Sequence, residues 1–305
     1  MNNKLMMTSA STVALIAGGA QQGLAQDGAF PAGYTLNVQG AYGSLNNPYV
    51  DKYSGAPDEF EEKIGDSNSD AGYLASLSLG RQLAPGKDMS FGLTLGGVPD
   101  NDITVTDGSD TFVRSNDFSF AALDFEMGRS LPMQGADVRL FYGARALYSN
   151  SEQEKLGRED VSGGYEASYK TESEYLGVGP RVGIGFATNP TPLGATGQIG
   201  FSGELGASVL FGERKDTFSY EASESGFSSG FSSGFTESKT AASLDAQLGV
   251  DYYFSPATKV SVGYQLQQLW NIDVTSDEDG ESDLGYEDTS PRLIHGAFVG
   301  FTTTF

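Results

Sequence analysis

Charged residues recur in this chain inside segments that otherwise alternate between apolar and small side chains, and they are the groups with the chemistry to hold a ligand or steer an ion. Asp124 and Glu126 sit in one such segment, Arg139 and Arg145 in the next, Arg181 in a third and Glu204 in a fourth, with Asp245 and Asp251 further on. A period of two places residues i and i+2 on one face of a strand. These groups therefore share a face with glycine, serine and glutamine, and oppose a face of Leu, Val and aromatic residues. With a turn centred near 132–133, antiparallel pairing sets Glu126 opposite Arg139; a centre near 192–193 sets Arg181 opposite Glu204. Carboxylates and guanidiniums gathered in this way have two roles open to them. They neutralise one another as a plug, or they line a water-filled path and set its ion preference.

Other chemistry is sparse. The run Asp277, Asp279, Glu281 and Asp283 is dense enough in carboxylates to attract divalent ions, but it lacks the regular Asp-x-Asp-x-Asp-Gly register of a calcium loop. Loose ion association by a solvated loop is the better reading of it. The single histidine, His295, falls on the outward face or rim of the last alternating segment, with no Ser or Asp arrangement around it to form a triad. The absence of cysteine excludes thiol catalysis and thiolate metal sites. The expectation is a protein that is not an enzyme and needs no cofactor.

The elements that must position these residues are strands. Ten alternating segments run from Tyr34–Tyr42 to the chain end, the last being His295–Phe305. Their connections alternate in length. Those near 84–87, 130–135, 188–196 and 255–258 are short and contain Pro or Gly, whereas those near 44–70, 99–116, 149–172, 213–240 and 273–290 are long. Segregated loop lengths, aromatic residues at strand ends and a terminal aromatic strand are features of a transmembrane antiparallel up-and-down β-barrel. The predicted fold is therefore all-β, with ten strands, short periplasmic turns and long extracellular loops. A short strand at Ile103–Val105 is one route to a count of twelve. In this arrangement the last strand pairs with Tyr34–Tyr42, and Phe301 and Phe305 form the signal by which barrel assembly machinery recognises the unfolded chain.

Composition agrees with an exported protein. Lys4, the apolar stretch 12–20 and the small residues Gly23 and Ala25 form a signal-peptide pattern, predicting a signal segment over 1–25 and a barrel domain over 26–305. The formal charge is −22, and the five long connections carry 30 of the 40 acidic residues but only 9 of the 18 basic ones. That sign excludes a basic nucleic-acid surface. One connection holds a tandem repeat, Ser225-Gly-Phe-Ser, Ser229-Gly-Phe-Ser and Ser233-Gly-Phe-Thr. It is either a flexible aromatic surface for adhesion or lipopolysaccharide contact, or low complexity without a selected role.

Three segments together resemble a known family. Tyr175-Leu-Gly-Val-Gly-Pro-Arg-Val-Gly-Ile184 is similar to the Gly-x-Gly-Pro-Arg strand of the Legionella-type major outer membrane proteins. Leu244–Phe254 with Gly263–Trp270 is similar to their penultimate hairpin, and His295-Gly-Ala-Phe-Val-Gly to their closing strand, with Ala297 in place of Pro. The resemblance covers roughly the C-terminal half. It implies a porin-like pore for small hydrophilic solutes in a Gram-negative outer membrane. The alternative is a structural or adhesive barrel with a plugged lumen and acidic surface loops. Outer membrane lipid and lipopolysaccharide are the expected partners, and oligomerisation is left open. The chain lacks the cysteines of the better-known members, so disulfide-linked oligomers do not carry over.

Overall fold

The computed structural model describes residues 33–46, 69–98, 103–107, 110–159, 165–193, 197–224, 227–273 and 291–305. Twelve strands make up its one sheet: β1 (Tyr34–Asn46), β2 (Ser69–Ala84), β3 (Lys87–Val98), β4 (Ile103–Asp107), β5 (Asp110–Met133), β6 (Ala136–Glu159), β7 (Tyr165–Thr188), β8 (Thr191–Leu193), β9 (Gly197–Glu224), β10 (Phe227–Ser255), β11 (Thr258–Trp270) and β12 (Arg292–Thr304). Ten of them form a closed antiparallel ring, in which β10 pairs with both β9 and β11, and β12 pairs with β1. Among the described residues β4 pairs only with β5, and β8 only with β9. The expected ten-strand ring is present. The short strand at 103–105 exists too, but beside the ring rather than within it.

Alternation dictates this arrangement. In β1, Leu36 and Val38 point outward beside Leu79 and Leu77 of β2, while Asn37 and Gln39 point inward. Lipid contact explains the many exposed apolar groups, such as Leu123 at 59%, Val182 at 58% and Phe201 at 55%. In a hydrocarbon layer such a face is the buried one. The expected pairing of the first and last strands is also found, with Tyr42 opposite Ala297 and Thr35 opposite Thr304. Reciprocal backbone bonds of 2.9 Å between Tyr34 and Phe305 fasten the seam, and their rings stack at 6.3 Å.

Tight turns join the strands at one end. The β2–β3 and β5–β6 connections are two residues long, ending on Gly86 (φ 67°) and Gly135 (φ 87°), where left-handed backbone favours glycine. At the other end three of the five expected long loops, near 99–116, 149–172 and 213–240, are mostly strand, while those near 44–70 and 273–290 lie almost wholly outside the described residues. β6 runs on to Glu159 opposite Tyr165 of β7, and β9 runs to Glu224 opposite Phe227 of β10. The five adjacent strands β5, β6, β7, β9 and β10 are 24, 24, 24, 28 and 29 residues long. About 9–11 residues cross a bilayer, so these strands stand above the membrane as a one-sided wall. The strands on the other side have only 12 to 16 residues.

From Phe227 onward the Ser-Gly-Phe repeat belongs to this wall and is a strand, not a loop. Phe231 lies opposite Tyr220, which lies opposite Tyr169. Their rings make a row with centroid spacings of 5.9 and 4.7 Å, and Phe235 stacks on Phe218 at 6.0 Å. A four-residue repeat returns every phenylalanine to the same face of a strand, here the face continuous with the lumen. The proposed signal segment and the acidic run Asp277, Asp279, Glu281 and Asp283 lie outside the described residues.

At the seam, Gly43 of β1 and Gly296 of β12 lie directly opposite each other, and a Cβ on Gly296 would overlap the Tyr42 carbonyl and Gly43 Cα. Gly296→Val should therefore cost about 1–3 kcal/mol or more through overpacking. Urea unfolding of the refolded protein would show a lowered midpoint, along with a smaller folded fraction on unheated gels.

Candidate functional site

Four tiers of inward side chains fill the ring. Nearest the short turns, Asp251 is fully buried and accepts from Lys259 (2.8 Å), Ser261 (2.5 Å) and Ser202 (3.1 Å). On the facing wall a cavity of about 520 Å³ reaches from Gly86, Lys87 and Ser130 beside the turns up to Leu74 and Gln267. Gln39 of β1 donates to Gln247 of β10 (3.2 Å) and to Gln265 of β11, closing part of this tier with amides.

The central tier is the charged network. Arg139 donates to Asp88 (2.8 Å) and Glu126 (3.0 Å), and Arg145 to Asp124 (2.7 and 2.8 Å), Asp245 (2.9 Å) and Ser243 (2.8 Å). Arg181 donates to Glu126 (2.9 Å) and forks onto Asp245 (2.5 and 2.7 Å), with Glu204 at 3.8 Å. Arg145 and Arg181 are 2% and 3% exposed. Both Arg139 and Arg181 also lie over the Phe141 ring, at 4.9 and 5.3 Å. That ring fits because Gly183 of β7 leaves the space a Cβ would fill. Seven of the eight expected lumen residues meet here: Asp124, Glu126, Arg139, Arg145, Arg181, Glu204 and Asp245. Asp251 does not; it belongs to the lower tier.

The expected opposite pairs are displaced. Arg139 lies opposite Ser130 and Glu126 opposite Gly143, while Glu204 faces Gly185 and Arg181 faces Ser208. The β5–β6 turn centres on Gln134–Gly135, two residues beyond the expected centre. β8, folding back on β9, shifts the second register in the same sense. The ion pairs form anyway, because four-residue offsets preserve the face and arginine spans the diagonal. Asp88, which Arg139 grips, was not anticipated. Its signal was its place beside outward Met89 just after a turn.

Above the network lies a tier the sequence reading missed. Leu45, Leu74, Val98, Phe118, Leu147, Tyr175, Leu210, Ala241, Leu269 and Ile294 form one contiguous apolar cluster, none more than 5% exposed. Each of the ten ring strands supplies one of them. The signal is inverted alternation: Phe118-Ser-Phe-Ala-Ala122 carries its apolar groups on the face expected to be polar.

Buried ion pairs cap this layer. Arg292 bonds Asp273 (2.6 Å) and Ser151 (3.0 Å), and Arg214 bonds Asp216 (2.8 Å) and Glu237 (2.6 Å). Burial pushes the Asp216 carboxyl above its ordinary range, although Ser173 and Arg214 donate to it. On the outer wall, hydrogen bonds from Lys170 to Glu152 (2.8 Å) and Glu172 (2.6 Å) raise its ammonium above the usual lysine value. His295 sits on the outward face of β12, with Nδ1 against the Tyr264 hydroxyl.

Removing Arg181 would leave Glu126 with Arg139 alone and Asp245 with Arg145 alone, two half-compensated carboxylates inside the ring. Arg181→Met should lower stability by about 3–5 kcal/mol, as for one half of a buried pair. Arg181→Lys, which keeps the charge and loses the fork, should lose less. Urea midpoints of the three refolded proteins check both the size and the order.

No protein of curated function matches the chain. Among solved structures it is similar to Neisserial surface protein A (12% identity over 90% of this chain and 97% of that one, TM-score 0.33). It is also similar to a major outer membrane protein from Thermus thermophilus (15% identity, 89% and 99%, TM-score 0.33). The outer membrane protease OmpT from Escherichia coli is a third (10% identity, 90% and 97%, TM-score 0.37). At TM-scores this low the likeness bears on neither fold nor function. The family comparison is decisive: residues 51–303 match the model described as Legionella pneumophila major outer membrane protein precursor, well beyond the C-terminal half expected from the motifs. With a closed ring, an outward apolar face and a match over most of its length, the chain belongs to the Legionella pneumophila major outer membrane protein family and resides in a Gram-negative outer membrane.

Proposed function

We propose that this protein is an outer membrane barrel with a closed lumen, one that holds a rigid acidic wall above the membrane rather than conducting solutes. The single observation that carries the proposal is the apolar tier to which all ten ring strands contribute. A hydrated ion crossing that layer would have to shed water with no polar group to replace it, at a cost of several kcal/mol. Beneath it the three guanidiniums are fully engaged with carboxylates, so the network serves as internal cross-bracing of the barrel.

A second reading keeps the porin-like pore for small hydrophilic solutes. What favours it is the cavity of about 520 Å³ at the short-turn side, lined by Arg139, Glu126, Glu204 and Asp245, which would form the vestibule of a pore that opens by displacing the apolar tier. We take the chain to be non-catalytic in either case. His295, its single histidine, is bonded to an interfacial tyrosine on the lipid-facing side. Phe301 and Phe305, outward and 45% and 70% exposed, remain the proposed signal to the assembly machinery. Lipopolysaccharide is the proposed neighbour of the wall.

Planar-bilayer recording separates the two readings. Correctly folded wild-type protein should give no steady ohmic current. A Phe118→Ala/Leu147→Ala variant, refolded and verified by its barrel circular dichroism, should conduct. Steady current through the wild type would overturn the closed-lumen reading.

A further inference from the structure

The lipid-facing surface of the ring carries charge in one place. Between the short turns and the aromatic level of Tyr73, Tyr148, Phe211 and Trp270, the outward positions of the described ring strands are uncharged except for Arg81, Lys87 and Arg129. All three are cations, in a chain of formal charge −22. They fall on the adjacent strands β2, β3 and β5, at the end with the short turns. Lys87 lies directly opposite Arg129, and Arg81 lies opposite Met89, one same-face position along from Lys87.

Two like charges placed directly across a strand pair repel and destabilise the pair. Among the described residues no carboxylate forms an ion pair with any of the three, and all three are exposed; Arg81 only rests over the Tyr34 ring, at 5.4 Å. Nor do they lie below the apolar band. Phe91 (54% exposed) and Leu123 (59%) lie above them on the same outward face, and Leu83 (49%), Leu131 (39%) and Met133 (63%) lie beyond them toward the turns. Cations set within an apolar surface at the edge of a bilayer need an anion at headgroup depth. Long arginine and lysine stems reach that depth while their methylenes stay on hydrocarbon.

From this juxtaposition we infer that Arg81, Lys87 and Arg129 form a binding site for the phosphate headgroup of an anionic glycerophospholipid in the leaflet nearest the short turns. The phosphodiester sits between the three cations and relieves the Lys87–Arg129 repulsion, and the acyl chains lie on Phe91, Leu123 and their neighbours. Arginine supplies a planar fork for two phosphate oxygens and lysine a point charge for a third. The site rests on the outer membrane location alone, and is independent of whether the lumen conducts.

The test is lipid retention by the full chain refolded in neutral detergent micelles, read by native mass spectrometry with phosphatidylglycerol or phosphatidylcholine of identical acyl chains. The wild type should retain phosphatidylglycerol in preference, and each charge removed should weaken that retention about fivefold. R81Q/K87Q/R129Q should therefore show no preference, while K215Q, a cation on the outer wall, should behave as wild type. Equal retention of the two lipids by the wild type, or an unchanged preference in the triple variant, overturns the proposal. Displacement of phosphatidylglycerol by millimolar inorganic phosphate overturns the assignment to lipid. Should the triple variant fail to fold, K87Q alone gives the same reading through its single fivefold step.

Discussion

Closure of the backbone hydrogen-bond ring is the constraint on which the rest of this structure depends. Hydrocarbon offers no partner for an N–H or C=O, so a sheet with two free edges is not viable there. The seam between β1 and β12 removes both edges at once, and its register brings Gly43 against Gly296 where the two backbones approach most closely. Once the ring is closed, every residue is committed to lipid or lumen by parity alone. Ten strands enclose a space barely wider than side chains can fill, and here the side chains fill it apart from the cavity at the short-turn side.

What fills it follows from the cost of leaving anything unpaired. The central guanidiniums are each held by carboxylates from other strands, so the network ties β3, β5, β6, β7 and β10 across the interior as well as around the wall. Such pairs add little net stability over an apolar filling, but they penalise any arrangement that separates them. The apolar tier above them does the opposite: it is indifferent to register and hostile to water. Together they give a barrel whose interior is specific in the middle and dry near the outer end.

The fold was legible in the sequence because lipid and lumen impose period-two alternation, which survives in single strands such as Leu244–Phe254. The ring count, the seam and the membership of the central cluster all followed from parity. Register did not, because a shift of four residues keeps every side chain on its face and leaves no trace in the pattern. That is why Glu126 and Arg139 were rightly grouped and wrongly aligned. The apolar tier was missed for a related reason. At Phe118–Ala122 the large apolar groups sit on the inner face and Ser119 and Ala121 on the outer, so the alternation that announces the barrel is inverted where the barrel is shut. The wall reads as loops in the sequence because its strands are rich in polar residues on both faces and show little apolar alternation.

The Ser-Gly-Phe repeat in that wall has a consequence for how the protein can change length. Its unit is four residues, an even number, so gain or loss of one copy lengthens or shortens β10 without turning any residue beyond it to the opposite face. Ser-Gly-Phe units are thus a vernier on the height of one strand, decoupled from the pairing of everything below. A surface-exposed hairpin built this way can vary among close relatives while the barrel beneath it is inherited intact.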